Sequence, residues 1–313
     1  MSYKEERYFS IEEYKKIVAL EKKETKIQIP ENLSQDLAQL WRETLQNGMH
    51  GVSFSAYEEG QKPGSIITEE QVMRRMKIIA PYTKWVRSFS CTEGNEFIPK
   101  IAHKFGIKTL VGAWLGNDPQ VNEREIEGLI QLANEGFVDI AAVGNEVMFR
   151  KDMTENQLLE YIFRVKNAIP NSIPVGYVDN YYEFSFRSRI TDVCDIILAN
   201  CYPYWDGCPI DYALHHMKNM FQTTKSVGNN KRIIITETGW PSQGGSHGGA
   251  YASTENAMKY FIDSQKWSKQ NEIEMFYFSS FDESWKVDVE GNVGAYWGIW
   301  DKNEKLKNDI SNF

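Results

Sequence analysis

From Lys231 to Ser242 the chain reads Lys-Arg-Ile-Ile-Ile-Thr-Glu-Thr-Gly-Trp-Pro-Ser. Three consecutive β-branched isoleucines are typical of a strand buried on both faces, as in a parallel sheet. Because an unpaired carboxylate is costly inside such a sheet, we expect Glu237 where the strand emerges, just before glycine and proline interrupt it. A carboxylate at the carboxyl end of a parallel strand indicates either a reactive site, as in α/β barrels, or a salt bridge.

Strand and helix signals alternate through most of the chain. Apolar runs predict the strands, and amphipathic or capped segments, such as Thr68 with Gln71 and Thr154 with Gln157, predict the helices between them. Eight strand signals over roughly 250 residues predict a (β/α)8 TIM barrel. A doubly wound open sheet is the alternative, but the turn after the first strand lacks a glycine-rich phosphate motif. The predicted strands are 50–56, 85–90, 109–115, 138–143, 174–178, 196–201, 233–236 and 275–279.

The residues before the first predicted strand have helical features. Leu37, Leu40 and Trp41 repeat at helical spacing ahead of an Asn-Gly helix stop. We therefore expect a helical N-terminal extension over residues 1–46, packed on one end of a barrel that occupies residues 47–313. A partner-binding role for the extension is the alternative.

Composition and charge exclude several classes of protein. The 313 residues carry a net charge of −8, which argues against binding to nucleic-acid phosphates. Four irregularly spaced cysteines and five scattered histidines fit neither a disulfide framework nor a zinc pattern, so we expect no metal and no cofactor. We expect no membrane span and no signal peptide in this chain, because no apolar run has the length of a span and the first residues are polar. We expect a soluble monomer with reduced thiols. It is either cytoplasmic, or it is secreted or periplasmic and its signal peptide has been removed.

A second carboxylate follows the fourth predicted strand, where Ala141 to Val147 reads Ala-Ala-Val-Gly-Asn-Glu-Val. Strands four and seven lie across the mouth of a closed eight-stranded barrel, so Glu146 and Glu237 can converge on one substrate. Two carboxylates that flank a bond are the minimal equipment for glycoside hydrolysis. One protonates the leaving oxygen, while the other, ionised, attacks the anomeric carbon. Asn145 offers an amide that can hydrogen-bond a sugar hydroxyl.

The ends of the sixth and eighth predicted strands add polar and aromatic side chains to the same mouth. The end of the sixth strand and the residues after it read Asn-Cys-Tyr-Pro-Tyr-Trp, up to Trp205. The eighth strand is followed by Phe-Asp-Glu-Ser-Trp-Lys, up to Lys286. We expect Lys286 to lie near Glu283 and Glu237, to favour their ionised forms and to lower the pKa of the nucleophile. Core packing of the aromatic rings and a surface ion-pair cluster are the alternatives.

Three segments at the strand ends read Val143-Gly-Asn-Glu-Val147, Glu237-Thr-Gly-Trp-Pro-Ser242 and Phe281-Asp-Glu-Ser-Trp-Lys286. They resemble the signature segments of glycoside hydrolase family 17, the β-1,3-glucanases and related glucanosyltransferases. The likeness extends from about Asn47, and the first predicted strand resembles that of bacterial members. The resemblance implies a (β/α)8 barrel and a retaining double displacement on laminarin-type β-1,3-glucan or its oligosaccharides, with Glu146 as acid/base and Glu237 as nucleophile.

The resemblance also guides a set of expected substrate-binding side chains around the mouth. It implies that Glu283 and Lys286 support the nucleophile, and the aromatic pair Tyr204 and Trp205 can hold an acceptor sugar. Phe89 stands where the family usually has tyrosine, so no contact is carried over to it. The expected substrate-binding residues are Tyr57, Arg87, Asn145, Tyr202, Tyr204, Trp205, Trp240, Glu283, Trp285 and Lys286.

Several reactions remain open for such a site. Water or a second sugar can resolve the glycosyl-enzyme, so hydrolysis, with internal cleavage favoured, and β-1,3-glucanosyl transfer share the same residues. A non-catalytic carbohydrate-binding barrel is less consistent with two retained glutamates, and metal-assisted hydrolysis is less consistent with the scattered histidines. If the mechanism is retaining, the two carboxyl groups should lie about 5–5.5 Å apart, whereas about 8 Å or more would indicate inversion.

Overall fold

Eight parallel strands close into a barrel in the computed structural model, which describes residues 33–307. Around the barrel the strands follow the order β1-β10-β7-β6-β5-β4-β3-β2, and a short hairpin of β8 and β9 lies between β7 and β10. All eight predicted barrel strands and the TIM-barrel prediction are confirmed. The strands are β1 (Met49–Ser53), β2 (Thr83–Ser88), β3 (Lys108–Ala113), β4 (Ile140–Asn145), β5 (Val175–Asn180), β6 (Ile196–Asn200), β7 (Arg232–Thr238), β8 (Ser246–His247), β9 (Ala250–Tyr251) and β10 (Met275–Tyr277).

Helices surround the barrel and connect its strands. Two of them begin at capping boxes that the sequence predicts: Thr68 accepts a hydrogen bond from the backbone of Gln71, and Thr154 accepts one from Gln157. The α-helices are α1 (Leu33–Gln46), α2 (Glu69–Ile79), α3 (Phe97–Lys104), α4 (Pro119–Asn134), α5 (Val147–Arg150), α6 (Glu155–Ala168), α7 (Ser188–Val193), α8 (Ile210–Val227), α9 (Thr254–Gln270) and α10 (Val287–Glu290). Short 3-10 helices span Ala80–Tyr82, Glu183–Phe186, Ser284–Lys286 and Gly291–Tyr296.

The core has two layers that follow the alternation of side chains along each strand. Alternate residues such as Ile140 and Ile234 fill the barrel, while Ile235 packs outward among the residues under the helices. Gly51 makes room for Phe276 inside the barrel, because a Cβ at position 51 would lie 2.5 Å from that ring. The barrel interior is therefore a packed core, and chemistry is confined to its ends.

The helix α1 is the described part of the predicted N-terminal extension. It packs against α9, where the rings of Trp41 and Phe261 have centroids 5.8 Å apart. The remainder of the extension lies outside the described residues. The division into an extension over residues 1–46 and a barrel over residues 47–313 stays a prediction.

Candidate active site

The strand β4 carries an extra residue near its carboxyl end. Between Ala142 and Asn145, three steps along β4 match two steps along β5. Gly144 lies inside this bulge with φ of +84°, a backbone conformation that residues with a Cβ rarely adopt. The bulge interrupts the alternation of side chains, so Asn145 turns toward the mouth and Glu146 follows it directly.

A second bulge lies in β7. Between Ile235 and Glu237, two steps along β7 match one step along β6. Strict alternation from Ile234 would place Thr236 toward the barrel and Glu237 toward the helices. Both instead face the mouth, where Thr236 Oγ1 donates to Asn200 Oδ1 at 2.9 Å and Glu237 Oε1 accepts from Asn200 Nδ2 at 3.2 Å. The bulge thus orients the second carboxylate, Glu237, toward the mouth of the barrel.

Glu237 is buried among hydrogen-bond donors of three kinds. Arg87 Nη1 pairs with Glu237 Oε1 at 2.5 Å, and Asn200 Nδ2 donates to the same oxygen. Tyr202 Oη donates to Oε2 at 2.7 Å, and burial raises the pKa of the Tyr202 hydroxyl well above its usual value, so it remains a donor. Glu237 is thereby fixed in position as an acceptor.

Glu146 has a different environment, although it shares a donor with Glu237. It is half-buried at the mouth, and its Oε1 accepts a hydrogen bond from Asn200 Nδ2 at 2.9 Å. Burial, and after it the nearby charge of Glu237, raises the pKa of Glu146 to about 7. Two carboxyl groups with such different partners are suited to different roles, one as proton donor and one as nucleophile.

The shared donor limits the distance between the carboxyl groups. Because Asn200 Nδ2 lies 2.9 Å from Glu146 Oε1 and 3.2 Å from Glu237 Oε1, those two oxygens are at most about 6.1 Å apart. Inverting glycosidases keep their carboxyl groups about 6.5–9.5 Å apart to accommodate a water, and retaining enzymes about 5–5.5 Å. The limit of about 6.1 Å refers to one oxygen of each carboxyl group, and it favours the closer, retaining spacing.

The cation beside the carboxylates is Arg87. Its Nη2 donates to Asn145 Oδ1 at 2.7 Å, so one guanidinium links Asn145 to Glu237, and Phe89 lies under it with the ring centroid 4.2 Å from Cζ. Lys286, which we expect near both Glu283 and Glu237, forms its ion pair with Glu283. Arg87 lies at the end of β2, which β1 and β10 separate from β7, so the closed barrel brings a cation from a distant strand to Glu237.

Four of the expected residues form a second cluster, where the chain after β1 meets the chain after β10. Glu283 Oε2 pairs with Lys286 Nζ at 2.6 Å, and Glu283 Oε1 accepts from the backbone nitrogen of Tyr57 at 3.2 Å. The rings of Tyr57 and Trp285 meet edge to face with centroids 5.9 Å apart. The cluster fixes the aromatic side chains of this part of the mouth.

Two of the expected substrate contacts lie beneath the surface. Tyr204 and Trp240 are each 1% exposed and pack on one another, with ring centroids 5.3 Å apart. Their polar atoms are bonded internally, Tyr204 Oη to Gly245 O and Trp240 Nε1 to Tyr251 O. These rings support the loop after β7 rather than offer a face to a sugar. Trp205 is half-buried and keeps part of its surface open.

Asn200 and Trp114 also lie at this end of the barrel, although neither is among the site residues expected from the sequence. Asn200, which bridges the carboxylates, lies within the strand-six segment quoted above, so its position was a signal. Trp114 directly follows β3 and is 39% exposed, with its ring centroid 4.7 Å from Cζ of Arg150. Arg150 Nη1 donates to the carbonyl of Asn145 at 2.6 Å, which ties this indole to the mouth.

A further carboxyl comes from α10. Burial raises the pKa of Glu290 to about 7, and its charge interacts with Glu237 and Glu283. It accepts a hydrogen bond from Trp297 Nε1 at 2.8 Å. No strand precedes Glu290 directly, so the strand-end pattern that identifies the other glutamates gives no signal for it.

Two features of other classes of protein are absent from the described part of the chain. Within residues 33–307, no group of three or more His, Cys, Asp or Glu side chains has an arrangement that could hold a metal ion. No helix of that same part of the chain is both long and apolar enough to cross a membrane.

An eight-stranded α/β barrel with two glutamates facing each other at its mouth is an architecture of glycoside hydrolases. Residues 51–298 match the BtgE/BtgC glycoside hydrolase domain, and the chain belongs to this family. The resemblance to glycoside hydrolase family 17 is thereby confirmed, while the finer likeness to bacterial members stays a prediction.

Named relatives and solved structures agree with this assignment. Glucan 1,3-beta-glucosidase of Schizosaccharomyces pombe is 28% identical over 259 residues, which cover 75% of this chain and 78% of that protein. Probable glucan endo-1,3-beta-glucosidase btgC of Aspergillus clavatus is 24% identical over 274 residues. The matched residues are 78% of this chain but only 39% of that longer protein. The glycoside hydrolase family 17 beta-1,3-glucanosyltransferase of Rhizomucor miehei superposes with a TM-score of 0.75 and 28% identity, covering 84% of this chain and 96% of that one. An endo-laminarinase from Formosa shares the fold, with a TM-score of 0.70 and 19% identity over 84% of this chain and 86% of that one.

Proposed function

We propose that this protein is a retaining enzyme that cleaves β-1,3-glucan or its oligosaccharides through a glycosyl-enzyme intermediate. The observation that supports the mechanism is the shared contact of Asn200 Nδ2 with Glu146 and Glu237, which keeps one oxygen of each carboxyl group within about 6.1 Å of the other. The choice of substrate is supported by the relatives, whose names specify β-1,3-glucan.

In the first step Glu237 attacks the anomeric carbon. The bond from that carbon to the glycosidic oxygen breaks, and Glu146 transfers its proton to the departing oxygen. An ester forms between the sugar and Glu237, and Glu146 is left ionised. A pKa of about 7 keeps a substantial fraction of Glu146 protonated at neutral pH, as a general acid requires.

In the second step the ionised Glu146 accepts a proton from the incoming hydroxyl. That oxygen bonds to the anomeric carbon, the ester to Glu237 breaks, and the original configuration is restored. Water gives hydrolysis, and a sugar hydroxyl gives a longer glucan. A glucanosyltransferase is the second candidate, favoured by the exposed surface of Trp114 and Trp205 near the mouth and by the Rhizomucor relative.

The deciding experiment is a time course on a defined β-1,3-gluco-oligosaccharide, with product lengths separated by chromatography and the first anomer identified by NMR. Wild type is compared with Glu146→Gln and Glu237→Gln. The matched control is Glu274→Gln, because Glu274 is also a partly buried carboxyl paired with an arginine, Arg232, but it precedes β10 at the opposite end of the barrel.

We expect retained configuration at the first-formed product and loss of turnover of about 10³-fold or more in both active-site variants. Shorter products alone indicate a hydrolase, and products longer than the substrate indicate a transferase. Initial release of the inverted anomer would refute the retaining mechanism. No turnover by folded wild type on this linkage would refute the substrate assignment.

A further inference from the structure

The helix α5 begins directly after Glu146 but receives no cap from that side chain. A residue preceding a helix usually has an extended backbone, and its side chain accepts a hydrogen bond from the second or third helical nitrogen. Glu146 instead has a left-handed backbone, with φ of 53° and ψ of 28°, and its carboxyl group bonds to Asn200. The backbone nitrogens of Met148 and Phe149 must therefore find other acceptors.

Two buried side chains of β5 supply these acceptors. Tyr177 Oη accepts from the nitrogen of Met148 at 2.8 Å, and Asp179 Oδ2 accepts from the nitrogen of Phe149 at 3.4 Å. The Tyr177 hydroxyl in turn donates to Asp179 Oδ2. Because Val178 faces the barrel interior, the two residues that flank it face outward, toward α5.

We propose that Tyr177 and Asp179 are positioning residues for the acid/base Glu146. They perform the capping of α5 that the side chain before the helix would otherwise provide, and so leave the Glu146 carboxyl group free to face the mouth. The inference rests on the proposed role of Glu146 in proton transfer.

The chemistry of the pair favours this role over simple packing. Asp179 and Tyr177 are 0% and 1% exposed. A carboxyl group that is buried among apolar residues destabilises the fold unless it forms hydrogen bonds. Burial raises the pKa of Asp179 to about 8, and the charge of Glu146 adds to that shift, so the two carboxyl groups are electrostatically close. An apolar pair would fill the same space but would leave two helical nitrogens without acceptors.

A kinetic experiment distinguishes positioning of a proton donor from general stability. We compare kcat/KM of wild type, Tyr177→Phe and Asp179→Asn on two aryl β-laminaribiosides, one with a 2,4-dinitrophenyl and one with a 4-methylumbelliferyl leaving group. Dinitrophenolate departs without protonation, whereas methylumbelliferone is a poorer leaving group that depends more on the acid. The control is Tyr260→Phe, which removes a buried hydroxyl that contacts Thr238 Oγ1 at 2.5 Å, beside the other carboxylate.

We expect the Tyr177→Phe and Asp179→Asn variants to lose about 10- to 100-fold in kcat/KM on the methylumbelliferyl substrate and less than about 3-fold on the dinitrophenyl substrate. Tyr260→Phe should change both values by the same factor. Equal losses on both substrates in the Tyr177→Phe variant would overturn the inference.

Crystal structures of the same variants give a second readout that is independent of activity. In Tyr177→Phe we expect Glu146 Oε1 to leave hydrogen-bond distance of Asn200 Nδ2, which is 2.9 Å in the wild type. An unchanged Glu146 would overturn the inference. If wild type turns over neither aryl glycoside nor any β-1,3-oligosaccharide, the proposed function fails, and the crystal structures alone decide the positioning role.

Discussion

Replacing Glu237 by Gln should lower the pKa of Glu146 and leave the shape of the site almost unchanged. In the wild type, burial and then the charge of Glu237 raise that pKa to about 7. At a separation of about 6 Å and an effective dielectric constant of about 20, repulsion between the two carboxylates is about 3 kcal/mol, or about 2 pKa units. Arg87 lowers the pKa of Glu146 in both proteins, so its effect cancels in the comparison, and we expect a decrease of up to about 2 pKa units. Burial keeps the value above the usual range.

The assay is an NMR titration of protein labelled with ¹³C at the glutamate carboxyl carbons. The resonance of Glu146 is assigned by its absence from Glu146→Gln. A control variant, Glu125→Gln, removes a carboxyl group that bonds to Ser90 and Thr92 rather than to the glutamate pair, and should leave the titration of Glu146 unchanged. A pKa of Glu146 within about 0.3 units of wild type in Glu237→Gln would refute the argument from distance and charge.

Four further predictions concern the site. Because Glu146 donates its proton and has a raised pKa, kcat/KM should fall as pH rises through about 7. By linkage, the contribution of Glu146 to the free energy of unfolding should diminish as pH rises from about 4.5 to about 7, and a denaturation series should show this slope weakened in Glu146→Gln. Gly144→Ala should cost about 1–3 kcal/mol in chemical denaturation, since φ is +84° and a Cβ would lie 2.9 Å from Val147 Cγ2; an unchanged midpoint would contradict it. Trp114→Ala should raise KM for long oligosaccharides about 10-fold with no loss of melting temperature, and an unchanged KM would exclude the indole from binding.

The barrel can be predicted from the sequence alone, because the patterns that indicate it are local. Runs such as Ile233 to Ile235 predict buried strands, and the boxes at Thr68 and Thr154 mark helix starts that the structure confirms. Hydrophobic periodicity and capping depend on residues only a few positions apart, so a single chain carries them in full. The same patterns predict the positions of Glu146, just after a strand, and of Glu237, near the end of a strand.

The contacts between those side chains depend on the tertiary structure. Bulges in β4 and β7 turn Asn145 and Glu237 toward the mouth, and a bulge depends on register with the neighbouring strand, which no local pattern specifies. The same holds for the choice of Arg87 as the partner of Glu237 and for the burial of Trp240. These contacts join residues far apart in the chain, and only the closed barrel brings them within hydrogen-bond distance.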